Sequence, residues 1–112
     1  MSIDTESPAP EEVPELVDET IADNEVVLFM KGTELMPQCG YSQKALNYVK
    51  HHREDAVCVD VLQATDAFRS ALERHSGWTT IPQVYVDGEF VGGSDILEEL
   101  HQRGELAETL DA

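Results

Sequence analysis

Cys39 lies where a helical pattern begins, within the stretch MPQCGYSQKAL of residues 36–46. A cysteine at a helix N-terminus faces unpaired backbone N–H groups, and the nearby positive charge of Lys31 adds to the effect, so the thiolate is favoured over the thiol. The neighbouring Pro37 and Gly40 are typical of an exposed turn. We therefore predict that Cys39 is ionised, accessible and reactive.

A second thiol is missing at the usual spacing, because Ser42 stands three residues after Cys39. Release of a mixed disulfide within one protein needs a second cysteine. The remaining cysteine, Cys58, lies in the β-branched stretch AVCVDV and is predicted to fill the core. We expect no Cys39–Cys58 disulfide, because a helix start and a neighbouring strand do not bring the Cα atoms within about 7 Å. Cys39 must use an external thiol or act as a ligand.

Helical and strand patterns alternate along the rest of the chain. Apolar spacing predicts helices over residues 12–23, 39–52, 64–77 and from Ser94, where Ser94 or Asp95 is expected to act as the N-cap. Strands are predicted at residues 26–30, 56–61, 83–86 and 89–91, with a hairpin turn at Asp87-Gly88. A β-α-β unit followed by a β-β-α unit predicts an α/β fold with a mixed four-stranded sheet flanked by helices.

The length of 112 residues suits one domain with one modest core. Residues 1–11 are predicted to form a flexible acidic leader and residues 12–112 the folded domain, since the leader has little apolar surface to bury. No apolar run approaches the roughly 20 residues that a membrane span requires, and the N-terminus lacks the pattern of a signal peptide. We therefore expect a cytoplasmic protein.

Acidic residues dominate the charge, with 23 Asp and Glu against 7 Lys and Arg and a net charge of −16. Nucleic acid is excluded as a partner, because binding to phosphates requires a basic face. We interpret the acidity as an adaptation to high salt, where the Debye length shortens to about 3 Å at 1 M and dense like charge is tolerated. The sequence thus favours a halophilic source.

Three linked motifs resemble those of the monothiol glutaredoxins. KGTELMPQCGYS, WTTIPQVYVDGEFVGG and the following SD are similar to the family's Lys-Gly loop leading to Cys-Gly-Phe-Ser, its Trp-Pro-Thr-Ile-Pro-Gln segment and its Gly-Gly-(Cys or Ser)-Asp. The resemblance covers residues 12–104 and implies a thioredoxin-like fold, in agreement with the alternation above. The sequence departs from the family pattern at Tyr41 for Phe, at Thr79 for Pro, and at Ser94 where some relatives keep a second cysteine.

The resemblance implies a groove for a low-molecular-weight thiol, which is glutathione or, in a halophilic archaeon, γ-glutamylcysteine. Arg69 and Lys31 would hold a terminal carboxylate, and the start of the last helix would hold the γ-glutamyl head. A cis bond before Pro82 would turn the backbone of the preceding residue towards the thiol. Trp78 is predicted to be a packing residue. The implied groove residues are Lys31, Cys39, Tyr41, Arg69, Thr80, Ile81, Pro82, Gly93, Ser94 and Asp95.

A ligand role for Cys39 follows from the same resemblance. A [2Fe–2S] cluster takes about four thiolates, whereas one chain offers one. The resemblance implies that Cys39 from each of two chains and two small thiols complete the set, so the loaded form is a homodimer, the apo form a monomer, and iron–sulfur acceptor proteins the partners. Two alternatives stay open: an enzyme that reduces mixed disulfides with external thiol, and an interaction module without redox turnover. The loop between Thr33 and Gln38 favours the cluster carrier, because it would aim the bound thiol away from attack geometry.

Overall fold

The computed structural model describes residues 2–3 and 8–112, which form one sheet with helices on both faces. The strands in this part of the chain are β1 (Ser2–Ile3), β2 (Val26–Met30), β3 (Val57–Asp60), β4 (Gln83–Val86) and β5 (Glu89–Gly92). The helices are α1 (Val13–Asp23), α2 (Gly40–His52), α3 (Thr65–Ser76), α4 (Ser94–Gln102) and α5 (Leu106–Thr109).

The predicted mixed four-stranded sheet is present in β2–β5. Strand β2 pairs with β3 in parallel through α2, and with β4 in the antiparallel direction. Strand β5 then pairs antiparallel with β4. The order across the sheet is β1-β3-β2-β4-β5, so the two-residue strand β1 extends it at one edge. The thioredoxin-like arrangement expected from the sequence is therefore confirmed.

Strand β2 is buried along its whole length, as its continuous apolar run predicts. Val27 and Phe29 pack with α1 and α3 on one face, while Leu28 and Met30 pack with α2 and α4 on the other. The centre of the sheet is thus sandwiched between two helical layers. The carboxyl end of β2 continues directly into the loop that precedes α2, so this rigid strand positions the start of the site.

The prediction of a flexible leader over residues 1–11 lies partly outside the described residues, which omit 1 and 4–7. Within that range, Ser2 pairs with Cys58 and Ile3 pairs with Val59 in β1, and a short 3-10 turn covers Pro10–Glu12. The division of the chain at residue 11 stays a prediction.

The Asp87-Gly88 pair forms the β4–β5 hairpin turn as predicted, with positive φ of 51° and 83°. The turn also receives support from the body of the domain, because the Asp87 N–H donates to the backbone oxygen of Glu25 at 2.7 Å. No helix among residues 8–112 is both long and apolar enough to cross a membrane.

Candidate functional site

A narrow loop connects β2 to Cys39. The Gln38 N–H donates to the Lys31 oxygen at 2.9 Å, and Gly32 pairs with Pro37 across the loop. Gly32 has a φ of +94°, and a Cβ atom there would lie 2.4 Å from the Met36 backbone oxygen. Only glycine fits this position, because both the backbone angle and the space exclude a side chain. The loop therefore has little freedom to change shape.

The side of this loop is tied to the helix that carries the thiol. Glu34 forms an ion pair with the Nζ of Lys50 in α2. The same ammonium donates to the backbone oxygens of Glu54 at 2.8 Å and Ala56 at 3.0 Å, just before β3. A charged group with several hydrogen bonds in a partly buried position is held more firmly than a free surface pair. Lys50 thus links the loop, α2 and the entrance to β3.

Cys39 is the N-cap residue of α2, with an extended backbone at φ −148° and ψ 135°. Its thiol is partly exposed, whereas Cys58 is buried, and both are free. The buried Ser42 hydrogen-bonds to Cys39, and its hydroxyl oxygen also accepts the Lys31 N–H at 2.9 Å. Ser42 therefore connects the first turn of the helix to the end of β2, and no second thiol lies beside Cys39.

The environment of Cys39 stabilises its thiolate. The backbone N–H of Ser42 lowers the pKa most, partial burial opposes it, and the Tyr41 N–H and the charge of Lys31 lower the pKa further. The two cysteines differ in this respect, because burial, followed by the proximity of Glu34, raises the pKa of Cys58 to about 12. Accessibility and pKa thus both favour reaction at Cys39 over Cys58, and the reactivity of Cys39 itself stays a prediction.

We expect the alkylation rate of folded Cys39 to reach half its maximum below pH 9.0, the ordinary pKa of the thiol, because only the thiolate reacts. Since the pKa is lower in the folded chain, the unfolded chain binds more protons between the two pKa values. The lowered pKa of Cys39 therefore adds to the free energy of unfolding. This contribution is complete above the pKa of the unfolded chain and is lost as the pH falls through the pKa of the folded chain. Iodoacetamide rates read by intact mass test the prediction, with Lys31→Met as the variant expected to move the midpoint upward. A midpoint at or above 9.0 would contradict it.

A cavity of about 720 Å³ opens beside Cys39, between α2, α3, the segment before β4 and the start of α4. Its lining includes every residue that the resemblance places in the groove apart from the cysteine itself. These are Lys31, Tyr41, Arg69, Thr80, Ile81, Pro82, Gly93, Ser94 and Asp95. The fold thus brings together positions that are scattered along the sequence; their individual roles in binding a thiol stay predictions.

The glycine pair Gly92-Gly93 lies close to the wall of the cavity that residues 81–82 form. The Ile81-Pro82 peptide bond is cis, as expected from the sequence resemblance. A Cβ atom on Gly92 would lie 2.6 Å from the Cβ of Ile96, so a larger residue would push against the first turn of α4. The glycines let the backbone approach this turn closely enough to form the floor of the cavity.

Helix α4 begins at Ser94, but the prediction that Ser94 or Asp95 caps it is wrong. Gly93 is the N-cap residue and contributes no side-chain hydrogen bond, and Ser94 is already inside the first turn and buried. The glycine pair shifts the cap by one residue, which the propensity of serine and aspartate for caps does not anticipate. The N-terminal N–H groups of α4 have no side-chain cap, and Ser94 and Asp95 of this first turn line the cavity.

Two positive charges line the opposite part of the cavity. Arg69 lies 3.8 Å from Asp66 one turn earlier in α3, which is a long and exposed contact of little energy. Lys31 has no ion-pair partner among residues 8–112. Both cations are therefore available to an anionic group of a ligand, which distinguishes this cavity from the otherwise acidic chain.

The prediction that Trp78 is a packing residue is wrong, because its side chain is 60% exposed and lines the cavity. Its size suggested burial, but the segment in which it lies runs along the outside of the fold. Sequence reasoning also missed three further lining residues, and periodicity carries no signal for them because they belong to a strand edge and a helix start. They are Phe90, Val91 and Ile96.

Large exposed apolar side chains cluster around the cysteine. Leu35 is 93% exposed and Met36 66% exposed in the loop before it, and Tyr41 is exposed just after it. Trp78 and Ile96 are also exposed and line the cavity, so large apolar side chains are exposed both next to Cys39 in the chain and at the cavity. Exposed apolar surface of this kind marks sites of interaction.

Comparison with known proteins supports the resemblance noted in the sequence. The glutaredoxin family model matches residues 26–91. A protein of Synechocystis, described as an uncharacterised monothiol glutaredoxin, is 48% identical over 95 residues, which is 85% of this chain and 88% of that protein. Reduced apo GrxS14 of poplar shares 40% identity and superposes with a TM-score of 0.74, covering 87% of this chain and 88% of that chain. The holo form of poplar glutaredoxin C1 shares 27% identity and has a TM-score of 0.74, covering 91% and 89% of the two chains.

Proposed function

Because the chain belongs to the monothiol glutaredoxin family, we propose that it binds a low-molecular-weight thiol beside Cys39 and, as a dimer, carries a [2Fe–2S] cluster. The cluster is its cargo, assembled or stored on the protein and passed to acceptor proteins. The observation that carries this proposal is the isolated thiolate: Cys39 is accessible with a lowered pKa, its neighbour is Ser42, and Cys58 is buried. A thiolate without a resolving partner is suited to ligation.

The cavity supplies a matching set of groups for glutathione or for γ-glutamylcysteine. Lys31 and Arg69 would pair with the glycine carboxylate of glutathione. The backbone of Ile81 would pair with the cysteinyl unit in the manner of an added strand. The N–H groups at the start of α4 and the Asp95 carboxylate would hold the γ-glutamyl carboxylate and amine. γ-Glutamylcysteine lacks the glycine carboxylate and would leave the two cations partly unused.

The donor set fits a cluster shared between two chains. A [2Fe–2S] cluster takes about four thiolates, and Cys39 with one bound small thiol supplies two from each protomer. When bound, the cluster provides iron and sulfide that an acceptor protein can take up. The protein's own residues favour the thiolate form of Cys39 and would hold the second thiol nearby in the cavity.

A second candidate function is the reduction of mixed disulfides between proteins and small thiols. The Cys39 thiolate would attack the small-thiol sulfur of the mixed disulfide, and the substrate protein would leave as a thiol. A second small thiol would then attack the disulfide formed at Cys39, which releases the Cys39 thiolate and a disulfide of the two small thiols. The lowered pKa of Cys39 favours this reaction. The loop from Thr33 to Gln38 counts against it, since its internal hydrogen bonds and the Glu34–Lys50 ion pair hold it in place in front of the thiol.

Anaerobic reconstitution with iron and sulfide tests the proposal. In high salt we expect a visible cluster chromophore only when glutathione or γ-glutamylcysteine is present, because the protein alone supplies half of the ligands. Native mass analysis of the product would identify the retained thiol. Equal chromophore without any thiol would overturn the ligand set, and no chromophore with either thiol, together with rapid reduction of a mixed disulfide, would favour the enzyme.

We also propose that the protein acts in the cytoplasm at high ionic strength. Its net charge of −16 creates strong self-repulsion, which added salt screens. Reconstitution yield and chain stability are therefore best compared at matched salt concentrations.

A further inference from the structure

Gln83, at the start of β4, is buried with 1% of its surface exposed, yet its side chain has a full set of partners. The amide nitrogen donates to the backbone oxygens of Trp78 at 2.9 Å and Thr80 at 3.0 Å. The amide oxygen accepts the Tyr85 hydroxyl at 2.7 Å. Both donors and an acceptor of the amide are thus used, and two of the three bonds go to one short segment.

The segment of residues 78–80 has few other restraints. Trp78, Thr79 and Thr80 are all exposed and lie outside helices and strands. The Thr79 N–H donates no hydrogen bond within residues 8–112. Apart from Gln83, the segment is held by Ser76, whose hydroxyl oxygen accepts the Trp78 N–H at 3.0 Å. The inner side of the segment is therefore fixed by side chains, while its outer side faces solvent and the cavity.

Tyr85 holds the amide in turn. Its ring is buried among Phe29 and Phe90, with centroid separations of 5.7 Å and 5.5 Å, and its hydroxyl reaches Gln83. The two carbonyls require the amide nitrogen to face them, and the Tyr85 hydroxyl holds this orientation from the other side by donating to the amide oxygen. A buried network in which every member is paired rigidifies the backbone that it contacts.

We propose that Gln83, oriented by Tyr85, is the positioning residue for the thiol groove. It fixes the carbonyls of Trp78 and Thr80 and thereby the wall formed by residues 78–82 against which a small thiol lies. If the wall is already ordered in the free protein, binding of the thiol costs less conformational entropy. The affinity for the thiol therefore depends on this order. The role of Gln83 extends the proposed thiol binding, and the predicted change in thiol affinity rests on that proposed function. The order of residues 78–80, in contrast, is measured without any ligand.

The single tryptophan of the chain is Trp78, so its fluorescence reports on this segment alone. In Gln83→Met the carbonyls lose their donors at similar side-chain length, and in Tyr85→Phe only the hydroxyl is removed. We expect a larger fast component in the anisotropy decay of Trp78 in both variants. From the energy of one to two hydrogen bonds, glutathione affinity should fall about tenfold in Gln83→Met and about threefold in Tyr85→Phe.

Two further variants separate positioning from general stability. Leu110→Ala removes a buried side chain at the end of α5, away from the groove, and should lower stability without changing Trp78 anisotropy or glutathione affinity. Thr79→Pro added to Gln83→Met should restore part of both readouts, because proline restricts the backbone and no Thr79 hydrogen bond is lost.

An unchanged anisotropy decay of Trp78 in Gln83→Met and Tyr85→Phe would overturn the proposal. It would also be overturned if Leu110→Ala changed the anisotropy and the glutathione affinity as much as these variants do, or if Thr79→Pro restored neither readout in Gln83→Met. If Gln83→Met does not fold, Tyr85→Phe decides the question, since it retains the ring packing. If the wild type itself does not bind glutathione, the proposed thiol binding fails, and the anisotropy comparison still decides the role of Gln83.

Discussion

Cys39→Ser is expected to abolish cluster assembly. The variant removes the one accessible thiolate of the chain, and the buried Cys58 cannot replace it because burial raises its pKa to about 12. Serine preserves the size and the N-cap position, and its hydroxyl can accept the same backbone N–H groups. The fold should therefore persist while the chromophore after anaerobic reconstitution falls to the level of a protein-free mixture.

The matched control is Cys58→Ser, which makes the same chemical change in the core. We expect it to retain the chromophore and to lose stability by about 1–3 kcal/mol, the cost of burying a hydroxyl without a good partner. Denaturant unfolding of the apo proteins measures that loss. Retention of the chromophore in Cys39→Ser, or its disappearance in a folded Cys58→Ser, would refute the assignment of Cys39 as the ligand.

The second expected result is that cluster and dimer appear and disappear together. Each protomer contributes one Cys39 thiolate and one bound thiol, so about four ligands require two chains. The apo chains carry a net charge of −16 each, and their repulsion opposes pairing without the bridge. Native mass analysis and size exclusion should show a monomer of 12.4 kDa as apo protein and a dimer after reconstitution.

The comparison should be made at two salt concentrations with equal protein. Salt screens the repulsion, so high salt should slow the loss of the loaded dimer without producing an apo dimer of equal stability. Cys39→Ser treated in the same way should remain a monomer at both concentrations. A cluster-loaded monomer, or an apo dimer as stable as the loaded form, would require a different ligand set.

The two results bear on different alternatives. Loss of the chromophore in Cys39→Ser identifies the ligand, but it does not exclude disulfide reduction by the same thiolate. Coupling of cluster and dimer shows that two chains supply the ligands, which an interaction module without a cluster would not do. The rate at which the apo monomer reduces a mixed disulfide measures the enzyme alternative separately.

The sequence by itself determined the order of the elements and the nature of the reactive group. The continuous apolar run of β2 requires burial on both faces, and Asp87-Gly88 favours a tight hairpin through local backbone preferences. The start of α2 at Cys39 and the absence of a second nearby thiol are also properties of the local sequence. Each of these features is encoded by the residue types within a few neighbouring positions, which pattern and spacing describe well.

Only the tertiary structure decided how the groove is built. Trp78 is exposed because the segment before β4 crosses the outside of the fold, and the α4 cap falls on Gly93, next to the close approach of Gly92 to Ile96. The Glu34–Lys50 ion pair and the Gln83–Tyr85 hydrogen bond likewise depend on side-chain directions within the packed fold. Hydrogen bonds and ion pairs require donor and acceptor to meet within narrow limits of distance and angle, and those limits are met only after the helices have packed on the sheet.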